Sequence, residues 1–193
     1  MKLWTLIENT AGGEDLTAEH GLSLYLEACG KRILFDAGQT SAFADNAEKL
    51  GIDLAAVDLA VLSHGHYDHS GGMKRFMEGN SLAPLYLSRY AFEGHYNAAD
   101  AYIGIDQNLR RSDRLVFCGD VHEIASGLTL YSCNDRSCSV PLEHAGLQMD
   151  GADGLCPDDF RHEQYLLIEE QGKRILVSGC SHKGILKDRK SVV

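Results

Sequence analysis

The sequence lacks the features of a membrane, secreted or nucleic-acid-binding protein. No apolar stretch among its 193 residues approaches membrane-spanning length, and the first eight residues, MKLWTLIE, are too polar for a signal peptide. The formal net charge is −10, and lysine and arginine are not clustered, whereas nucleic-acid binding needs clustered cations. We therefore expect a cytoplasmic protein with neither a membrane nor a nucleic acid as partner.

The cysteine pattern argues against a disulfide scaffold. The six cysteines are scattered without the spacing of small secreted domains, so we expect mainly reduced thiols. Cys133 and Cys138 have the spacing of half a zinc site, but no second pair accompanies them. A structural zinc site built from cysteine pairs is therefore not expected.

Length and composition favour one globular domain. With 44% apolar and 24% charged residues, the chain can bury a core of its own. Alternating and continuous apolar patterns predict strands, and near-helical spacing predicts a helix over residues 41–50 and another through 73–77. The predicted strands lie near residues 3–7, 21–27, 31–38, 54–62, 85–87, 115–117, 121–124 and 128–132, with a closing hairpin at 165–178.

A cluster of metal-binding side chains directly follows the apolar run 54–62. Residues 64–69 read HGHYDH, three imidazoles and one carboxylate within six positions. Because side chains two residues apart in an extended segment point the same way, His64 and His66 can bind one ion together. Asp68 and His69, further along, can bind a second ion. The pattern predicts a metal site at the end of a buried strand.

Two stretches carry weaker patterns. Residues 88–114 mix aromatic, glycine and charged residues and predict irregular structure around one short helix. An insertion of this kind beside a metal site often shapes substrate entry. Residues 150–159 are polar and acidic and predict a loop.

Several segments together carry a family likeness. The span from residue 3 to about 186 resembles the metallo-β-lactamase superfamily, whose hallmark is His-x-His-x-Asp-His at a strand end. More narrowly, it is similar to a branch of metal-dependent hydrolases related to dihydropterin ribofuranosylaminobenzene phosphate synthase. The segments that carry the likeness are 8–10 (ENT), 18–23 (AEHGLS), 34–38 (LFDAG), 62–72 (LSHGHYDHSGG), 162–164 (HEQ) and 179–182 (GCSH).

The resemblance implies an α/β (α+β) fold, an αββα sandwich with two divalent metal ions in a groove at the edge of its sheets. The first ion would be held by His64, His66 and His162, and the second by Asp68 and His69. The ligand shared by both ions would be Cys180 or His182. A thiolate ligand favours zinc, with manganese or iron as alternatives.

Further residues are placed around this site by their position. The resemblance makes Asp36 an outer partner that orients a ligand histidine, although a turn-forming Asp before Gly38 is the structural alternative. His20 either faces the groove or lies in a loop. Glu163 either forms a hydrogen bond beside His162 or is solvated, and we expect the second because exposed glutamates usually are. Three other histidines are expected to have no role in the site: His95, His122 and His144.

The end of the chain departs from the family pattern. Relatives continue well beyond the strand that ends near Cys180, and they supply a final histidine ligand there. We therefore expect a metallo-β-lactamase-like domain over residues 1–187 whose C-terminal part is incomplete. Residues 188–193 (DRKSVV) do not resemble family sequence, and we expect them to be a non-native tail, which resequencing of the source DNA would test. Such a truncation would impair the enzyme.

The expected function is metal-dependent hydrolysis of a small-molecule ester, phosphoester or related substrate. A water shared by two ions becomes a nucleophile near neutral pH, with Asp68 and His66 as the catalytic side chains. The first alternative is a transferase that joins a pterin to a phosphoribosyl-aniline. A redox diiron protein is disfavoured because such relatives place Glu where His66 stands. The last alternative is a metal-binding fragment without activity.

Overall fold

The computed structural model describes residues 1–134 and 146–184. Six strands form the first sheet, in the order β1-β2-β3-β4-β5-β7. Strands β1 to β3 pair antiparallel, and β3, β4, β5 and β7 pair parallel. These strands are β1 (Lys2–Ile7), β2 (Ser23–Ala28), β3 (Lys31–Phe35), β4 (Leu59–Val61), β5 (Leu85–Ser88) and β7 (Leu115–Cys118).

Two smaller sheets complete the strand structure. The second sheet has the order β13-β12-β9-β8, with every neighbour antiparallel, and the third has the order β11-β10-β6. The second sheet consists of β8 (Val121–Ala125), β9 (Leu128–Tyr131), β12 (Tyr165–Glu170) and β13 (Lys173–Val177). The third consists of β6 (His95–Tyr96), β10 (Gln148–Gly151) and β11 (Gly154–Pro157).

Three α-helices are present in the described part of the chain. They are α1 (Ala42–Lys49), α2 (Tyr67–Ser70) and α3 (Met73–Gly79), and two 3₁₀ helices lie at Leu54–Ala56 and Gln107–Arg111. No helix within residues 1–134 and 146–184 is long and apolar enough to cross a membrane.

Alternation along the central strands separates two apolar cores. Leu34 of β3 faces a core shared with helices α1 and α3, whereas its neighbours Ile33 and Phe35 face a core shared with the second sheet. Because both faces of the first sheet are covered there, residues 33–35 of β3 and all of β4 are apolar. The resulting layers, helices on one sheet packed against a second sheet, agree with the sandwich that the resemblance implies. Both longer helices pack on the first sheet, since Phe43 of α1 and Phe76 of α3 belong to the same core as Leu34.

Two expectations about local structure were wrong. The run 54–62 is not one strand, because the Asp53 side chain accepts from the Ala55 amide and starts a 3₁₀ turn before β4. Residues 150–159 are not a loop, because β10 and β11 pair as a hairpin. Most side chains of this hairpin are exposed or only partly buried, which explains why its sequence carries no apolar alternation.

The predicted tail, residues 188–193, lies outside the described residues, as do Cys138 and His144. Within residues 88–114 the irregular structure contains the two-residue strand β6 and the 3₁₀ helix Gln107–Arg111. This insertion packs over the HGHYDH segment, since the Tyr67 amide donates to the Ile103 carbonyl.

Candidate metal centre

The end of β4 places two imidazoles side by side in the interior. His64 and His66 follow this strand, and their side chains are buried, with ring centroids 4.7 Å apart. His66 has extended backbone dihedrals and immediately precedes α2, so the chain turns from strand into helix within the segment. The Oγ of Ser63 lies 2.9 Å from Nδ1 of His64 and fixes that ring.

Helix α2 contributes the second half of the same segment. Nδ1 of His69 lies 2.6 Å from Oδ2 of Asp36, the residue after β3, which adopts a positive φ of 58°. Ser63 donates to the same carboxylate from both its amide and its hydroxyl, at 2.7 and 2.6 Å. The Asp36 carboxylate therefore orients His69 and ties β3 to the residue after β4. The structure thus brings Asp36 to the position that the resemblance implies for it.

The loops that flank the closing hairpin supply side chains from the second sheet. Sγ of Cys180 lies 3.1 Å from Nε2 of His69. A Cβ at Gly179 would overlap Ser63 Oγ, so only glycine lets this loop approach the motif closely enough. His182, two residues on, stacks on Phe160 with a centroid distance of 4.6 Å.

His162 reaches the cluster just before β12. The Gly65 amide donates to its Nδ1 at 2.8 Å. A neutral ring that accepts at Nδ1 carries its proton on Nε2, so this hydrogen bond and a metal ion at Nε2 require different neutral tautomers. The ring centroid of His162 lies 5.0 Å from that of His66 and 5.7 Å from that of His64.

Unpartnered nitrogens identify what this cluster can bind. Within residues 1–134 and 146–184, five imidazole Nε2 atoms are buried without a hydrogen-bond partner: those of His64, His66, His95, His162 and His182. Buried polar atoms are normally hydrogen-bonded, and leaving one unsatisfied costs about 1–3 kcal/mol. Imidazole nitrogens beside a thiol and a carboxylate form a donor set typical of zinc. The residues present therefore fit a divalent metal ion.

In the part of the chain that the structure describes, the ligand atoms form three overlapping groups, within each of which they lie no more than 4.8 Å apart. One group is His64, His66 and His182; another is His64, His69 and Cys180. The last contains four side chains: His66, His95, Asp158 and His162.

Two members of the last group were missed by the sequence interpretation. His95 was expected to have no role, yet its ring is fully buried and stacks on His162 at 3.8 Å. Asp158 lies within the stretch that was expected to be a loop, and its Oδ2 is 2.7 Å from Nδ1 of His95. No motif marks either residue. The only local signal was the separation of four residues between Asp158 and His162.

Burial and neighbouring charge favour the neutral form of three of these imidazoles. Burial lowers the pKa of His64 and of His162 well below the usual imidazole range, and neighbouring histidines lower both further. The pKa of His182 is also lowered, mainly by burial. Neutral rings offer the lone pairs that a metal ion needs.

Two groups are instead held in their charged forms. Burial opposes charging of His69, but the Asp36 carboxylate raises the pKa of His69 well above its usual range. Burial likewise opposes ionisation of Asp158, but the surrounding imidazoles hold its pKa well below the usual carboxyl range. The Asp36 carboxylate therefore favours the charged form of His69, and the surrounding imidazoles favour the charged form of Asp158.

A cavity of about 230 Å³ opens beside one part of the cluster. Asp68, His69 and Cys180 line it, together with His20. Oδ2 of Asp68 lies 3.5 Å from Nε2 of His69 and 3.4 Å from Nε2 of the largely exposed His20. The structure thus places His20 at the groove rather than in a remote loop.

The expectation that Glu163 is solvated was wrong. Glu163 is not solvated; it is fully buried, and it accepts from the amides of His182 and Lys183 at 2.8 and 3.0 Å. His122 packs on Tyr86 at 5.6 Å and belongs to none of the metal-binding groups. The reason for the burial of Glu163 is that its carboxylate holds the loop that presents His182.

Comparison with known proteins gives the family. The family model of the metallo-β-lactamase superfamily matches residues 16–109. A protein of Methanocaldococcus jannaschii named "Uncharacterized protein MJ0448" is 33% identical over 187 residues, which cover 94% of this chain and 70% of that protein. The chain belongs to the metallo-β-lactamase superfamily.

Two further similarities refine the position of this superfamily member. It is 29% identical to 7,8-dihydropterin-6-methyl-4-(beta-D-ribofuranosyl)-aminobenzene-5'-phosphate synthase of M. jannaschii, over 96% of this chain and 69% of that enzyme. A crystal structure described as Tm1679, a metal-dependent hydrolase of the β-lactamase superfamily, superimposes with a TM-score of 0.78 at 25% identity. That match covers 98% of this chain and 70% of the other. The predicted superfamily and fold are confirmed.

Proposed function

We propose that this protein is a metal-dependent hydrolase of a small ester, phosphoester or related substrate. The observation that carries the proposal is the convergence, among the described residues, of five buried, unpartnered imidazole nitrogens in a cluster whose further members His69 and Cys180 line an open cavity. A buried cluster of this kind is costly to the fold unless it binds something, which supports a metal-binding role. The cavity at its edge supports access for a small molecule.

The donor set supports two ions of the zinc type. The motif histidines and His162 provide nitrogen ligands, Asp68 provides oxygen, and Cys180 provides a thiolate next to His69. When bound, divalent ions supply Lewis-acid chemistry, lowering the pKa of water and polarising a carbonyl or phosphoryl oxygen. Asp36 holds His69 through Nδ1 and leaves its Nε2 directed toward Cys180.

Asp68 is the proposed proton acceptor. Its side chain lines the cavity, and its Oδ2 lies within 3.5 Å of both His69 and His20. A proton taken at Oδ2 can pass to Nε2 of His20, which is open to solvent. His20 would therefore return protons from the cavity to bulk water.

The test is hydrolysis of generic phosphodiester and carboxylic ester substrates by the protein loaded with zinc or manganese. Asp68→Asn keeps the shape of the side chain and should abolish turnover while the unfolding midpoint of the metal-free protein stays unchanged. Asp45→Asn, on the exposed face of α1, is the matched control. Turnover by Asp68→Asn at the wild-type rate would overturn the assignment.

A transferase is the second candidate, favoured by the similarity to the dihydropterin synthase. It requires binding of a pterin together with a phosphoribosyl-aniline. Calorimetric titration with a pterin, with and without metal, separates the two candidates. Pterin binding without ester hydrolysis would favour the transferase, and bound metal with neither activity would favour a metal-binding role alone.

A further inference from the structure

The cavity beside the metal centre is lined by two separate parts of the chain. Asp68, His69 and Cys180 belong to the metal-binding segments, whereas Glu8 and Asn9 directly follow β1. The cavity volume of about 230 Å³ is smaller than the roughly 300–1,000 Å³ of most ligand pockets. A substrate that enters this cavity is therefore small and lies within reach of both parts.

Contacts along the β1–β2 connection hold Glu8 and Asn9 at the cavity. Oδ1 of Asn9 accepts from the Gly21 amide at 3.3 Å. Gly21 has a φ of +130°, and a Cβ there would overlap the Asp68 carbonyl, so only glycine lets the connection lie against α2. The Leu22 amide donates to the same carbonyl at 3.4 Å. The position of Glu8 and Asn9 is therefore tied to the motif.

The Glu8 carboxylate keeps one oxygen available to a ligand. Its Oε1 accepts from Oγ1 of Thr10 at 2.6 Å, whereas Oε2 has no hydrogen bond or ion pair within residues 1–134 and 146–184. The side-chain amide nitrogen of Asn9 is likewise without an acceptor in the described part of the chain, because Oδ1 makes the bond to Gly21. The two residues thus offer a ligand one anionic acceptor and one donor.

Charges on the cavity lining favour a cation at the Glu8 end. None of the described residues that line the cavity is a lysine or an arginine, whereas Glu8 and Asp68 carry carboxylates. An anionic group beside Glu8 would meet a like charge without a lysine or arginine to compensate it. The net charge of −10 for the whole chain adds to the repulsion of anions.

The metal end of the cavity favours the opposite kind of group. His69 and Cys180 share a metal-binding group with His64, whose Nε2 is buried and unpartnered. A divalent ion bound there attracts an electron-rich carbonyl, phosphoryl or carboxylate oxygen. The two ends together fit a small molecule with such an oxygen at one end and a positive charge at the other.

We propose that Glu8 determines the specificity of this cavity and selects substrates that carry a protonated amino group away from the reacting carbonyl or phosphoryl. Oε2 of Glu8 accepts from the ammonium, and substrates with a second anionic group at that end are poor. The inference rests on the proposed function, because it takes the metal centre as the place where the reacting group binds.

Binding of two carboxylates to the zinc-loaded full chain tests the assignment. The ligands δ-aminovalerate and hexanoate have chains of equal length and a carboxylate for the metal end, but they end in an ammonium and a methyl group respectively. Calorimetric titration measures both dissociation constants. We expect δ-aminovalerate to bind about three- to tenfold more tightly, since an ion pair at a partly exposed site contributes modestly.

Glu8→Gln is the decisive variant, because it removes the charge and keeps the shape of the side chain. It should bring the two dissociation constants to within about a factor of two and leave the affinity for hexanoate unchanged. Glu14→Gln is the matched control, an exposed glutamate of the same β1–β2 connection that does not line the cavity. It should keep the wild-type preference.

Three outcomes would overturn the proposal. They are equal affinities in the wild-type protein, a preference that survives in Glu8→Gln, and binding of neither carboxylate. Because the titration needs no turnover, a protein that prefers δ-aminovalerate but hydrolyses no ester would lose the proposed reaction and keep this inference. A hydrolase without the preference would do the reverse.

Discussion

The two sides of the metal centre are built in different ways. On the motif side, the HGHYDH segment and Asp36 follow adjacent parallel strands, and Ser63 ties them together through one carboxylate. On the other side, His162, Cys180 and His182 come from loops around the β12–β13 hairpin, and Asp158 comes from the third sheet. The motif side is encoded locally, whereas the opposite side exists only after three sheets have packed together.

The largest effect should come from the motif side. His66→Ala removes a ligand-type nitrogen from two of the three metal-binding groups. We expect hydrolysis to fall by about a thousandfold or more, since metal-ion catalysis supplies several kcal/mol to the transition state. Initial rates of the metal-loaded variant measure the loss, with His122→Ala as the control. A variant that keeps more than a tenth of the activity would place His66 outside the chemistry.

Metal removal should destabilise both sides together. At a free metal concentration a hundred times its dissociation constant, binding stabilises the fold by about 2.7 kcal/mol. For a chain of this size that corresponds to a melting midpoint about 5–10 °C lower after chelation. Scanning calorimetry before and after chelator treatment measures the shift, and re-addition of zinc should reverse it. Equal midpoints would mean that the cluster holds no ion in solution.

Asp36→Asn tests whether the Asp36 carboxylate holds His69 in place on the motif side. An amide cannot hold His69 as the carboxylate does, so metal affinity should fall about 10- to 100-fold. Competition with a chromogenic chelator measures the affinity, and Asp45→Asn is the control. Unchanged affinity would leave Asp36 with the turn-forming role alone.

Glu163→Gln tests whether the Glu163 carboxylate holds the loop that carries His182 on the other side. The buried carboxylate accepts from two backbone amides and from the Tyr165 hydroxyl, at 2.8, 3.0 and 2.7 Å. We expect the free energy of unfolding to fall by about 1–3 kcal/mol, as for hydrogen bonds to a buried charged group. Urea denaturation measures it, with the exposed Glu169→Gln as control. A loss no larger than that of the control would contradict this role.

The smallest expected effect is a pH dependence of the metal-free protein. The pKa values of His64 and His162 are lowered on folding, so the unfolded chain binds more protons below about pH 6.5. Their contribution to stability is therefore present above that pH and decreases as the pH falls. His69, whose pKa is raised, contributes in the opposite sense. Unfolding midpoints between pH 7.5 and 5.5 should fall overall; a rise would show that His69 dominates.

The expectations from sequence were most accurate where the residues that form a site are also neighbours in the chain. The motif at residues 64–69 could be predicted from its own residues and the strand before it, because residues adjacent in the chain stay close in any fold. The strands with continuous or alternating apolar residues were also identified, since burial on one or both faces leaves that pattern directly in the sequence. The hairpin of β10 and β11 was missed because its side chains are largely exposed.

The amino-acid sequence by itself therefore determined the metal-binding motif, the apolar strands and the superfamily. Only the tertiary structure decided the partners of that motif: His95 from an insertion, Asp158 from beyond a polar hairpin, and Glu163 buried beneath His182. The hydrogen bonds of Gly65 with His162 and of His69 with Cys180 likewise join residues 97 and 111 positions apart. Contacts between residues so far apart in the chain depend on how the sheets stack and on which polar groups become buried. No local sequence pattern contains that information.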